Sequence, residues 1–333
     1  MTIRSHSATS YWRNLENILW NTKDSRKMLV KDIIPIWMEY KRPYVKESTM
    51  ASYTLSIKNS ILPAFGECDD LTEDRVQEYI LDSVTAGLAK HTIKDRLVVL
   101  KMIMKFASSK GWMLYHDWKA VFPTSTKKKI EISILTVSEH KKILDYIKEH
   151  FTFYSLGIYI SLTAGLRIGE VCGLKWEDID CDRGVLSVRR TVERIYVLNG
   201  EKNFTKIISS EPKTTNARRD VPICKELMSM VKPLKKVVNE NFYVLTNAEK
   251  PTEPRTYRNF FYRLMEKLGM PHIRYHDLRH TFATRCIESK CDYKTVSVLL
   301  GHADIATTLN MYVHPDETQK RNVVNKVFRT LSR

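Results

Sequence analysis

The 333-residue sequence has no C-x-x-C pair: its six cysteines, at 68, 172, 181, 224, 286 and 291, follow no regular spacing. A disulfide framework is therefore not expected, and isolated thiols of this kind suit a reducing cytosol. The opening stretch, MTIRSHSATSYWRN, lacks the apolar core of a secretory signal. No long hydrophobic run is present either. The most apolar segment, Tyr154 to Leu166, is too short for a bilayer and is interrupted by glycine. Internal repeats are absent. Acid is also in short supply, with 38 Asp+Glu against 54 Lys+Arg, a formal net charge of +16. These absences point to a cytoplasmic protein, and the excess of positive charge points to a polyanionic partner, most simply nucleic acid.

The length suits two domains, each with its own core. Residues 1–27 are polar, with Trp12, Leu15, Ile18, Leu19 and Trp20 at helical spacing. They are expected to form a short helix or an arm that orders on a partner. From Met28 the apolar spacing is helical. Ile33, Ile34, Trp37 and Tyr40 share one face, and so do Tyr53, Ile57 and Ile61. Ser48 or Thr49 is the natural cap of the second helix, which Pro63 and Gly66 end. A third helix opens at Thr72. The clearest runs from Lys90 to Lys110, with Ile93, Leu97, Leu100, Ile103, Met104 and Ala107 inward. About four helices over 28–122 thus make a small all-α domain. Residues 123–134, polar and basic, read as a linker.

The second domain, 135–333, mixes helices with a few strands, so the fold class is mainly α with a small antiparallel β-sheet. Val137-Ser138-Glu139 caps a helix that continues to Glu149, and a buried helix spans Phe151 to Ala164 and breaks at Gly165. Val185 to Val197 alternates like a strand and ends at the hairpin signal Asn199-Gly200. Phe204–Ile208 and Arg218–Ile223 read as further strands, with a turn over 211–216 between them. Helices resume at Lys225 and Tyr257.

Chemistry concentrates between His276 and Tyr312. His276 and Arg279 are three residues apart, which places them on one face of a helix. Gly301 is a helix stop, His302 follows it, and Asp304 caps a helix that carries Tyr312 near its end. Two bases, a guanidinium and a phenol gathered in this way suit attack of the phenol on a phosphodiester. His276 and His280 also have the i, i+4 spacing of a helical metal pair. However, Asp277 stands where the glutamate of H-E-x-x-H belongs and no third ligand is evident, so no metal site is assigned.

The motif TAGLRIGEVCGLKWEDID, then HDLRHTFAT, then LLGH with a tyrosine ten residues on, resembles the tyrosine recombinase (phage integrase) family. The likeness covers the second domain. The helical first half resembles the family's core-binding domain in size and position only. This resemblance implies an α-helical core-binding domain followed by a mixed α+β catalytic domain, and it assigns roles. Tyr312 would be the nucleophile, leaving a 3′-phosphotyrosine and a free 5′-hydroxyl. Arg167 and Arg279 would clamp the non-bridging phosphate oxygens, a task for a permanently charged, bidentate group; the apolar flanks Leu166 and Ile168 suggest that Arg167 is held inside. His276 would serve as base or proton relay and His302 as a donor to the phosphate. Lys213 would protonate the leaving oxygen, with Lys202 and Lys206 as alternatives. Glu170 would orient Arg167 or His276, and His280 would support from behind.

The resemblance also implies double-stranded DNA with short inverted-repeat core sites, one dimer per site and a synaptic tetramer passing through a Holliday junction. It leaves room for an accessory DNA-bending or directionality protein. Because the phosphotyrosine conserves the phosphodiester energy, no cofactor is expected. The apolar stripe Val323, Val324, Val327, Phe328 and Leu331 has the spacing of a C-terminal helix over about 318–333; such a helix could fold back on its own domain, and the resemblance implies that it docks on a neighbouring protomer. With only 27 residues before the first domain, a full arm-binding domain is not expected. Two other readings share these residues: a type IB topoisomerase, and a catalytically idle DNA-binding regulator. The complete set of six candidate residues speaks against the latter.

Overall fold

The computed structural model describes residues 28–123, 133–199, 202–212 and 215–312, together with Arg321 and Asn325. Residues 1–27, most of the linker, Lys213 and nearly all of the expected C-terminal helix lie outside the described residues. The chain divides into two compact units, 1–128 with 196–204, and 129–195 with 205–333.

In the first unit, α1 (Val30–Lys41) buries Val30, Ile33, Ile34 and Trp37, the i, i+3, i+4, i+7 pattern of one helical face. The next helix, α2 (Glu47–Ser56), begins ahead of the expected caps. Ser48 is buried in its first turn, and Glu47 supplies negative charge at the positive end of the helix. The helical run ends at Gly66, as the sequence suggested, but Pro63 lies inside it rather than at its end. The chain widens into a π-type segment (Ile57–Ile61) and runs on as α3 (Leu62–Phe65) up to Gly66. Proline offers no N–H and excludes the carbonyl four residues back, and a wider turn accommodates both effects. Thr72 caps α4 (Glu73–Thr85) by accepting from the Arg75 N–H at 3.3 Å. The long α5 (Lys90–Ser109) buries all six of the residues expected to face inward. With Trp37, Phe65 and Ile80 they form one core.

The second unit opens with α6 (Val137–Glu149), whose cap is Thr136, one residue before the expected start; Thr136 and Glu139 close a reciprocal capping box. Thr152 and Ser155 do the same for α7 (Phe153–Ala164). This helix is buried on nearly every face, which is why its sequence shows no polar stripe. Gly157 lets neighbours close in, since a Cβ there would lie 2.4 Å from the Tyr257 hydroxyl and 2.3 Å from Leu245. Gly165 ends the helix in the left-handed region at φ 64°, and α8 (Ile168–Cys172) follows with Arg167 at its N-cap.

The strand expected over Val185–Val197 is two strands. The first, β2 (Val185–Val188), lies between β1 (Ile179–Asp180) and β5 (Arg219–Pro222) in an antiparallel sheet, with Leu186 opposite Val221 and Val188 opposite Arg219. The second, β3 (Thr191–Asn199), pairs separately with β4 (Lys202–Ser210). The break falls at Arg189-Arg190, where ion pairs pull the two side chains apart. Arg189 reaches Asp220 at 2.6 Å, and Arg190 reaches Glu177 at 2.7 Å and Asp178 at 2.5 Å. Helices α9 (Lys225–Lys235), α10 (Pro254–Lys267), α11 (Tyr275–Glu288), α12 (Tyr293–Leu300) and α13 (Ile305–Tyr312) complete the unit. At its centre α11 packs on α7, tied by a 2.6 Å hydrogen bond between the Tyr275 and Ser161 hydroxyls.

Candidate active site

Two glycine-ended helices position the most deeply held cation of this unit. Arg279, on α11, is only 2% exposed. It donates from one terminal nitrogen to the Gly165 carbonyl just past α7 (2.9 Å) and from the other to the Leu300 carbonyl at the end of α12 (2.6 Å). Helix C-termini present unpaired carbonyls and partial negative charge, so a forked cation suits both ends at once. Gly301 turns α12 at φ +65°, and a Cβ there would come within 2.8 Å of the Asn216 carbonyl and 3.0 Å of Arg219 Cδ. We expect Gly301→Ala to destabilise the protein by about 1–2 kcal/mol from the backbone conformation alone, measured by denaturant unfolding. A change within error of zero would contradict the packing described.

Arg167 stands at the N-cap of α8. The Glu170 carboxylate accepts its backbone N–H at 2.9 Å and its guanidinium at 2.8 Å. The apolar flanks Leu166 and Ile168 suggested an arginine held inside. In fact Leu166 is buried while the Arg167 side chain is 38% exposed, its guanidinium drawn back over the first turn of α8 to Glu170. Glu170 itself is buried and joins Arg167 to a residue the sequence reading passed over. Arg219 donates to both Glu170 oxygens at 3.1 and 3.0 Å. It also donates from Nε to the Leu299 carbonyl at 2.6 Å. The signal for Arg219 lay in the period-two pattern of R-D-V-P, which puts a charged residue on the same inward face as Val221.

His276 follows the first residue of α11, and its ring meets that of His280 edge to face, with centroids 4.6 Å apart. His280 is buried behind it. Among the described residues no cluster of three or more His, Cys, Asp or Glu could hold a metal. His302 is half-buried past Gly301, its Nδ1 hydrogen-bonded to Thr308 Oγ1 at 2.8 Å. The Asp304 carboxylate accepts the Ala306 N–H and so caps α13, whose last residue is Tyr312. The side chain of Tyr312 lies outside the described residues, as does Lys213. The two flanks of the Lys213 turn, Pro212 and Ala217, line a pocket with Arg167, Glu170, Gly301 and Ala303. A second, wider cleft is lined by Arg167 and His276 together with Arg194, Arg255 and Arg258.

Burial first, and then the charges of Arg279, Arg167 and Arg219, bring His302 down to about 4. Burial and the neighbouring His276 bring His280 to about 4 as well. His276 is lowered by packing of its inner face and by Arg279 and Arg167. Glu170 is opposed by burial, yet the guanidiniums of Arg219 and Arg167 hold its carboxyl below the ordinary value. All three histidines have folded values below the unfolded one near 6.5, so the unfolded chain binds more protons between about pH 6.5 and 4. Stability should therefore fall as pH is lowered through that window. Thermal midpoints measured from pH 7 to 4.5 check this, and a double His280→Gln, His302→Gln variant should show a flatter dependence.

Arginines clasped by a carboxylate and by helix ends lie beside histidines kept neutral, an arrangement whose chemistry suits holding an anion. A family model described as the phage integrase family matches residues 133–319, and one described as the phage integrase N-terminal SAM-like domain matches 29–82. A tyrosine recombinase XerC-like protein of Caldanaerobacter subterraneus subsp. tengcongensis is 30% identical over 304 residues, 85% of this chain and 74% of the relative. The transposase of transposon Tn916 from Enterococcus faecalis is 26% identical over 298 residues, 82% of this chain and 71% of that protein. Among solved structures, the Tn1549 transposon integrase in complex with transposon right end DNA shares the fold. Its TM-score is 0.70 at 23% identity, over 90% of this chain and 99% of that one. A lambda integrase tetramer bound to a Holliday junction gives a TM-score of 0.60 at 17% identity, over 87% and 80% of the two chains. The chain belongs to the phage integrase family. It is a tyrosine recombinase, an enzyme of site-specific recombination.

Proposed function

We propose that this enzyme cuts and rejoins double-stranded DNA at short inverted-repeat core sites, with Tyr312 as nucleophile. The phenolic oxygen of Tyr312 bonds to the scissile phosphorus as the bond to the 5′-oxygen breaks. The phenol's proton passes to His276, and the leaving oxygen takes a proton from Lys213. Attack of a 5′-hydroxyl from the partner strand reverses the step and releases the tyrosine, so the number of phosphodiester bonds is unchanged. Arg167 and Arg279 neutralise the non-bridging oxygens in the pentavalent transition state. His302 starts neutral; a phosphate anion brought beside it raises its pKa and makes it a donor. One dimer at each site and four protomers in synapsis, with strands exchanged in pairs through a Holliday junction, complete the reading.

The observation that carries this reading is spatial. Arg279 is anchored to the end of the same helix, α12, whose next residues are Gly301 and His302, and the helix bearing Tyr312 starts only three residues after His302. Arg167 is linked to the same helix end through Glu170 and Arg219. The test is a plasmid carrying two copies of the DNA that flanks this gene at its element or chromosomal boundary, incubated with wild type and Tyr312→Phe, in EDTA and without ATP. Recombinant product with wild type only supports the proposal. Relaxation of supercoils without exchange would favour a topoisomerase, and binding with no strand breakage by either protein would favour the idle regulator.

A further inference from the structure

Arg219 has no place in the chemistry proposed above, yet it is among the most constrained side chains of the second unit. It is 7% exposed, and its guanidinium makes contacts in three directions. The two terminal nitrogens meet both oxygens of Glu170, Nε meets the Leu299 carbonyl, and one terminal nitrogen also meets the Ala217 carbonyl at 3.2 Å. Glu170 in turn holds Arg167 by backbone and side chain. Leu299 lies two residues before Gly301, where a Cβ would come within 3.0 Å of Arg219 Cδ. Asn216, three residues upstream of Arg219, directs its amide toward the His302 and Ala303 carbonyls, both at 3.5 Å.

These contacts close a circuit. Arg167 and His302 sit on segments 135 residues apart in the chain (302 − 167), and both Arg219 and Arg279 carry hydrogen bonds across the site to the end of α12. Arg279 joins the carbonyl ends of α7 and α12. Arg219 makes the second tie, from the N-terminal turn of α8 to the last turn of α12. The two ties reach adjacent carbonyls, Leu299 and Leu300, from different parts of the unit, and hold the end of α12 from two sides. A burial this complete is also costly for a cation unless something is gained, since a well-packed apolar residue at such a site is often no less stable.

We infer that Arg219 is a positioning residue that fixes Arg167 and His302 at a set separation across the phosphate-handling centre, acting through Glu170 and the end of α12. The inference rests on the roles proposed for Arg167 and His302. A buried side chain of this kind does not touch the DNA, so its loss should leave DNA affinity intact and slow the cleavage step. The loss should also depend on Arg167 being present, because holding a side chain that has been removed has no value.

The test is single-turnover cleavage by the full chain on a nicked duplex of the gene's flanking DNA, with Arg219→Met made in wild type and in an Arg167→Ala background. We expect Arg219→Met to lower the cleavage rate by roughly tenfold or more in the wild-type background and by less than about threefold beside Arg167→Ala. Filter-binding affinity should be unchanged. Equal losses in the two backgrounds, or no loss in either, would overturn the inference and leave Arg219 a purely structural residue. Arg219→Lys, which keeps the charge but cannot span Glu170 and Leu299 together, carries the comparison if the Met variant does not fold. Absence of cleavage by wild type would instead defeat the functional reading on which the inference stands, so the two failures are distinct.

Discussion

Arg279→Ala should cost the protein both stability and chemistry. Its guanidinium is the donor to the Gly165 and Leu300 carbonyls at two helix ends, and truncation strands both in a buried setting. Each buried, unpaired polar group costs about 1–3 kcal/mol, so a loss of roughly 2–6 kcal/mol is expected from the two together. Cleavage should fall further than folding explains. Removing one preorganised donor to a developing charge typically lowers the chemical step by about 10²–10³-fold. Arg279→Lys separates the two effects. It retains a cation and should recover part of the stability, but a point charge cannot fork between two carbonyls and face a phosphate with fixed geometry. Denaturant unfolding and single-turnover cleavage, measured side by side, check both. A Lys variant with wild-type cleavage would show that charge alone suffices.

Glu170→Ala should be strongly destabilising on the Arg167 side of the site. Glu170 and Arg219 form an ion pair whose side chains are 4% and 5% exposed. Deleting the carboxylate leaves Arg219 charged, buried and unpaired, a situation worth about 3–5 kcal/mol. A well-packed apolar pair at such a site is often neutral, so Glu170→Met combined with Arg219→Met should regain much of that loss. It should not regain cleavage, because Arg167 would then lack the carboxylate that holds it. If stability and cleavage returned together in the double variant, the ion pair would have no positioning role and would serve packing alone.

The difference between these two residues mirrors what could be read from the sequence. His276, Arg279 and His302 stood out because they lie in short contiguous motifs, where helical spacing and a glycine stop decide the local geometry. The structure places them as that spacing implies, on α11 and just beyond α12. The six inward residues of α5 were legible for the same reason, since one helix face repeats every three to four residues. What depended on distant partners was not legible. Glu170 does meet Arg167, one of the two partners expected for it, but its second partner, Arg219, lies 49 residues away and could not be read from local spacing. Nor could that spacing show that the β-strand run breaks at Arg189-Arg190, because the acids responsible, Asp178 and Asp220, come from other segments. Helix starts shifted by a residue or more where a neighbouring side chain made the better cap, as Thr136 did for α6. The apolar flanks of Arg167 suggested a side chain held inside, whereas it is 38% exposed beside Glu170.

The account stands or falls on Tyr312 becoming covalently joined to DNA. The most direct measurement is trapping on a nicked duplex of the flanking sequence, in which the short fragment beyond the cut diffuses away and rejoining is prevented. Wild type and Tyr312→Phe are compared in EDTA without ATP, and the adduct is digested and mapped by mass spectrometry. The predicted result is an adduct that survives denaturation, forms with wild type only, and carries the nucleotide on Tyr312. An adduct that persists in Tyr312→Phe, or one mapped to another residue, would contradict the account.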